Sequence, residues 1–420
     1  MSTASPSTTV RAVCLPVLMV LVAGMASAAD STYSGGSIGN GYEGGLWGPW
    51  NLGERAEYGK IACRANQEFT WDDNLFLVET GKVSDWASVS TPSLSWLLGT
   101  PSNNSVELAY NVNVVRYLDR TDEDGEEHHP SLGATFTLGR TRLKLTDDVE
   151  CVTGGTNRLG GNEIAARVDK TTNRVSMGSD TELSDKVSLG LSFNRFDYDP
   201  KGGLIEHWQM DGGATVYYRA FAKADIFVAA NGGRMEQRDG LRQDFISGSL
   251  GARGTFTPTL TGRASVGGEY RESSLSTVGD NGHLIFSGAL TQVFDPLTTL
   301  TLRAGRSVES SISQINQTYV NTSAGFRVDY QFGPSLDASG STRKFLFGLD
   351  YQYDRSDFDL PSAGNPAQRA NLHTAAVSLE YRIQDCWKVY VVYRFQDNGS
   401  NLTGNDYRDN RVSLGTSLQF

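Results

Sequence analysis

The chain has 420 residues, a net charge of −11, 39% hydrophobic residues and 20% charged ones. That length suffices for two soluble domains or one large barrel. The negative total does not suggest a broad polyanion-binding role, and a mean hydropathy of −0.34 with no later window of ~20 apolar residues argues against a helical membrane protein.

Residues 1–28 read as a cleaved signal peptide. Arg11 gives the positive n-region, Ala12–Met25 the apolar stretch, and Ala26-Ser27-Ala28 the cleavage site. Pro16 and the short apolar length argue against an anchor helix, and Cys14 lacks a lipoprotein setting. Residues 29–66 then form an expected periplasmic segment or lumen insert, rich in Gly and Ser with interleaved Tyr33, Tyr42, Trp47 and Trp50. Cys63, Cys151 and Cys386 remain after cleavage, an odd number with no metal-ligand spacing.

From about Gln67 to Phe420 the pattern is period two. Phe345, Phe347, Leu349, Tyr351 and Tyr353 alternate with polar neighbours, and so do Val377, Leu379, Tyr381 and Ile383. Successive strand residues point to opposite faces, so each segment has one apolar and one polar face. A soluble sandwich alternates too; the connections separate the two readings. Short turns at Leu138–Arg140, Leu183–Asp185, Phe221–Lys223, Thr257–Thr259, Asp295–Leu297 and Gln384–Asp385 intersperse with the longer Asp119–His129, Thr153–Thr172, Glu272–Gly282, Val308–Asn316, Ser356–Ala370 and Asp397–Asn410. Short periplasmic turns facing long extracellular loops are the plan of outer-membrane barrels. The expected fold is all-β: a transmembrane, antiparallel, up-and-down β-barrel spanning residues 67–420, with about 18 strands and 16 as the alternative count. Two segments fit less well. In Val187–Tyr198 the apolar phase shifts between Phe193 and Phe196, which predicts a bulge or the end of the membrane zone, and in Leu284–Phe294 neither face is clearly polar. Phe420 ends the last strand as an expected barrel-assembly signal.

Phe69-Thr70-Trp71-Asp72-Asp73-Asn74-Leu75-Phe76, Val83-Ser84-Asp85-Trp86 and Thr91-Pro92-Ser93-Leu94-Ser95 resemble a β-barrel porin family of Gram-negative bacteria (β-barrel porin 2-like). Trp71 stands where that family usually has Tyr. The motif likeness covers the first 85 or so barrel residues; beyond Glu150 it is one of architecture. The resemblance implies an outer-membrane porin-like barrel with a role in exopolysaccharide export, inferred from gene company, and it brings no catalytic or binding residues.

If the apolar faces meet lipid, the opposite faces place Arg219, Arg253, Arg263, Arg303, Arg327, Arg382, Lys388, Arg394 and Arg411 in the lumen. Such cations attract anions or anionic polymers. The competing reading is a neutralised ladder, with Glu269, Asp329, Asp350 and Glu380 as partners. Carboxylates clustered in Asp122–Glu127, and Asp72 with Asp73, raise a metal site that no full ligand set supports. None of the five histidines lies in a catalytic motif, so neither an enzyme nor a cofactor is expected. The expected function is a channel for an anionic exopolysaccharide or capsule polymer; the rival is a non-conducting structural or surface-binding barrel. Expected partners are outer-membrane lipid and lipopolysaccharide, the barrel assembly machinery and polysaccharide export components, with no nucleic acid.

Overall fold

The structure is a computed structural model describing residues 59–100, 104–154, 169–238, 240–275, 280–313, 316–336, 342–361, 367–402 and 404–419. The signal peptide, residues 29–58 and Phe420 lie outside these. Eighteen strands follow in order: β1 Lys60–Asp72, β2 Asp85–Gly99, β3 Ser105–Tyr117, β4 Gly125–Leu138, β5 Thr141–Thr153, β6 Lys170–Glu182, β7 Val187–Pro200, β8 His207–Phe221, β9 Ala224–Gln237, β10 Arg242–Thr257, β11 Leu260–Ser273, β12 Asn281–Asp295, β13 Thr298–Ser310, β14 Thr318–Ser335, β15 Arg343–Pro361, β16 Ala367–Gln384, β17 Trp387–Ser400 and β18 Tyr407–Gln419. Each pairs antiparallel with its sequence neighbours, and β1 pairs with β18, so the sheet closes into a barrel. Closure leaves no edge, which a strand protein in hydrocarbon requires.

The tight turns fall where expected. Between β4 and β5 only Gly139 and Arg140 lie outside strands, and Gly139 supplies the positive φ of 61° that such a hairpin needs. The first strand begins at Lys60 rather than at Gln67. Its opening residues, Lys60-Ile61-Ala62-Cys63-Arg64, do alternate, but Ala62 and Cys63 are too small to give a clear period. No disulfide links the three cysteines.

Strands also run on into several stretches expected to be loops. β4 takes in Glu126–His129, β15 reaches Pro361, β16 starts at Ala367 and β17 continues to Ser400. At 18, 19 and 18 residues, β14, β15 and β16 exceed the ~9–11 needed to cross a bilayer. Hairpins standing in water keep their backbone ladder while both faces turn polar, so apolar alternation ends before the strand does.

Register decides which face is which. Leu94, Val391, Leu250 and Leu414 are among the large apolar residues that stay exposed, on the outer face. Residues alternating with them point into the lumen. The phase shift in β7 is not a bulge, since its pairing with β6 and β8 is unbroken. Phe193 faces lipid; above it Arg195 and Asp197 take the outer face, while Phe196 and Tyr198 turn inward and pack with His207 and Ile312. The apolar belt ends there, and bulk moves to the inside.

Candidate lumen site

All nine cations singled out above lie on the inward face by register. The structure sorts them into two levels. Near the short-turn ends, a two-residue turn joins β8 and β9 and sets Arg219 opposite Asp225. Asp225 accepts from Arg253 Nε at 3.3 Å, with Arg219 Nε at 3.8 Å. Arg253 also lies over the Tyr217 ring, 3.4 Å from its centroid, and Arg263 lies 4.6 Å over Phe227. Because Tyr217 and Phe227 are buried, these guanidinium groups keep one plane on an aromatic face and present the rest to the lumen.

On the other side of the barrel, Arg382 and Lys388 flank the turn between β16 and β17 and converge on Glu380, at 2.9 and 2.8 Å. Arg303 pairs with Asp350 at 2.7 Å, and Arg327 with Asp329 at 2.8 Å. Arg394 faces Arg411 across β17 and β18. The lumen is therefore a ladder of charge-assisted pairs over much of its wall, with Asp329, Asp350 and Glu380 in the partner roles expected. Glu269 instead holds Arg271, at 2.6 Å.

Asp225 escaped the sequence reading although it was legible: the two-residue turn fixes its position opposite Arg219. The aromatic seats at Tyr217 and Phe227 were less so, because they sit on the face where polar residues were sought.

At the long-loop end the motif Asp72-Asp73-Asn74 has a local task. Arg411 Nε lies 3.0 Å from Asp72 and 2.9 Å from Asp409. Asp73 accepts from the Asn410 backbone N–H at 2.7 Å and from its side-chain amide at 2.6 Å. Asn74 Nδ2 donates to the carbonyls of Val78 and Arg408, both at 2.8 Å. Asp72, Asp73 and Asp409 bring oxygens within 4.8 Å of one another. With the Arg411 guanidinium already between two of them and Asp73 engaged by Asn410, the donor set suits an arginine clasp rather than a metal cation. In Asp122–Glu127, Asp124 and Glu126 lie near Arg116, at 3.8 and 2.6 Å, so these carboxylates too have a cation of the chain.

Two connections lean into this mouth. After β1, Leu77 packs on Leu372 and Tyr407. After β13, Ile312 packs on Tyr198, its carbonyl accepts from Ile205 N at 2.9 Å, and Gln237 donates to Ser310 Oγ and to the carbonyls of Ser311 and Gln317. Gln237, Ser311, Ile312 and Gln317 are all buried. They narrow the lumen over β7–β10.

A family model described as "Putative beta-barrel porin 2" matches residues 60–420. Comparison with curated proteins gives no match. Among solved structures, Pseudomonas aeruginosa OpdK with vanillate shares 13% identity over 86% of this chain and 99% of its own, at a TM-score of 0.45. Pseudomonas aeruginosa OccK9 (OpdG) shares 14% over 86% and 98%, at 0.44. Acinetobacter baumannii OccAB4 shares 11% over 87% and 100%, at 0.44. Superposition at this level is too loose to transfer any residue.

Proposed function

Because the chain belongs to the beta-barrel porin 2 family, a porin-like barrel of the bacterial outer membrane, we propose that it is a non-catalytic conduit for an anionic exopolysaccharide or capsule polymer. The observation that carries this reading is the cation excess at the short-turn end, where Asp225 is shared by Arg219 and Arg253 and Glu380 by Arg382 and Lys388. Positive groups in a low-dielectric lumen raise the local concentration of a polyanion.

The test changes Arg303, Arg327, Arg382 and Arg394 to Gln and measures reversal potential in a salt gradient beside thermal unfolding. A shift towards cation selectivity in a stable barrel supports an anionic cargo. Unchanged selectivity with a large loss of stability leaves only the structural ladder. Polymer secretion in a deletion strain tests the cargo directly.

A closed barrel is the second reading, favoured by the packing of Leu77 and Ile312 into the mouth. Planar-bilayer silence together with normal polymer secretion in the deletion strain would select it.

Lipid and lipopolysaccharide at the outer face, the barrel assembly machinery and polysaccharide export components are the partners this reading needs. Phe420 is proposed as the assembly signal. Replacing it by Asp should lower the yield of heat-modifiable, membrane-embedded protein while export to the periplasm continues, as fractionation would measure.

A further inference from the structure

The two ends of the lumen carry opposite stoichiometries of fixed charge. Near the short-turn end the repeating unit is one carboxylate between two cations: Asp225 with Arg219 and Arg253, and Glu380 with Arg382 and Lys388. Arg263, in register beside Arg253, and Arg142, in register with Asp180, add two positive groups to this level against the one further carboxylate of Asp180. Near the long-loop end carboxylates outnumber cations instead. Arg411, with Arg394 beside it in register, lies between Asp72 and Asp409, and Asp85 opposite Asp72 adds a third carboxylate to that level. Lys170 pairs with Glu150 at 3.2 Å and shares a cross-strand row with Glu127, through Val152.

Position along the strands separates the two sets. Arg219, Arg253 and Arg263 lie within a few residues of the turns at 222–223 and 258–259, and Arg382 and Lys388 flank the turn at 385–386. Asp72 ends β1, Asp409 stands near the start of β18, and Glu150 lies near the end of β5. With short turns periplasmic, the positive level is periplasmic and the negative level extracellular.

We propose that the lumen is a bipolar, rectifying pore whose periplasmic level admits anions and whose extracellular level is acidic, with Arg219, Arg253 and Arg263 setting its selectivity. This rests on the conduit reading and deepens it by giving the entry side of an anionic cargo. The physics is that of two selective layers in series. Mobile anions concentrate in the positive level and mobile cations in the negative one. When the periplasmic side is negative, anions enter from the periplasm and cations from outside, and both accumulate at the junction, so current is large. Reversed polarity drains both from the junction, and current falls. The conducting polarity is the one that carries anions outward.

The experiment uses the mature full-length barrel in planar bilayers with KCl. An epitope inserted in the 401–406 connection, with its antibody added to one chamber, fixes sidedness. At ~0.1 M salt, where the screening length is ~10 Å, current should be several-fold larger with the periplasmic chamber negative, and the ratio should approach unity at ~1 M, where that length is ~3 Å. The triple variant R219Q/R253Q/R263Q should lose the asymmetry, and R219K/R253K/R263K should keep it. A pore that conducts equally at both polarities in ~0.1 M salt overturns this inference and leaves the conduit standing. A folded barrel that never conducts at either polarity also overturns this inference and, with polymer secretion normal in the deletion strain, the conduit itself.

Discussion

The walls formed by β8–β12 and by β14–β18 differ in how the inner face is filled. In β14–β18 Phe326, Tyr330, Phe345, Tyr351 and Tyr393 face lipid, several of them in ring contact, while the inner face carries carboxylate–cation pairs and Tyr390, whose hydroxyl donates to Asn66 and Glu68. In β8–β12 large residues fill both faces. Tyr217, Phe227 and Phe245 fill the lumen face beneath Arg253, Arg263 and Arg271. The outer face alternates large residues such as Val216, Val228, Leu250 and Val266 with small ones, Gly212 opposite Gly232 and Gly248 opposite Gly268, and an outer groove of about 730 Å³ opens over Ala230, Gly248, Gly268 and Gly282. Two walls of one barrel thus meet the same membrane with bulky outer faces and differ in what fills the inner one. A strand needs alternation, but nothing in the pairing dictates which side carries the volume.

Breaking the inner ladder of β14–β18 should have the largest effect. Glu380 is buried between two cations, so Glu380→Gln leaves them without their shared counter-charge and should cost roughly 3 kcal/mol in urea unfolding. The corresponding change in the other wall, Asp225→Asn, should cost about 1 kcal/mol, because its partners are half-exposed and Arg253 keeps its seat on Tyr217. Equal losses would dissolve the distinction between the walls.

Next come lipid-facing charges. Val391→Arg on β17 should destabilise by ~2–4 kcal/mol near the bilayer midplane, and Val392→Arg, which points inward by register, should be far milder. Matching folding titrations for the pair would refute the assigned register.

Smaller effects test the glycine wall. An inward Cβ at Gly233 would meet the Phe245 ring at 2.6 Å, so Gly233→Ala should cost about 1–3 kcal/mol by overpacking. An outward Cβ at Gly248 has nothing closer than 3.9 Å. Gly248→Ala should therefore gain about 0.5–1 kcal/mol through the backbone. A loss there would mean that the groove floor is held against something.

The same contrast explains what was legible in the sequence. In β15 to β17, aromatic residues alternate with charged ones, and strand, face and lumen cations could all be read from the residue pattern alone. In β12, Leu284, Phe286 and Leu290 face outward while Ile285 and Ala289 face in, so neither face is polar and the period carries no direction. Strand ends were illegible for a different reason: above the membrane both faces become polar, and Glu126–His129 in β4 looks like a loop although it pairs fully with β3. Within the lumen, the cations were visible as types in a phase. That Arg253 and Arg263 rest on rings, or that Asp225 serves two arginines, depends on neighbours across strands.

The contacts of Asp72, Asp73 and Asn74 with Arg408–Arg411 join residues more than 300 positions apart, since Asp73 and Asn410 are separated by 337. Bringing such ends together carries a loop-closure entropy that no local contact offsets, and pairing of this range is intrinsically slow. The clasp can form only after the last strand has been made and delivered. Until then the long-loop ends of β1 and β18 have unpaired strand edges, the form in which a chain is most prone to pair with the wrong neighbour. A charged triad at that seam therefore acts late in assembly, on kinetics, and its loss would show first as aggregated precursor rather than as a weakened finished barrel.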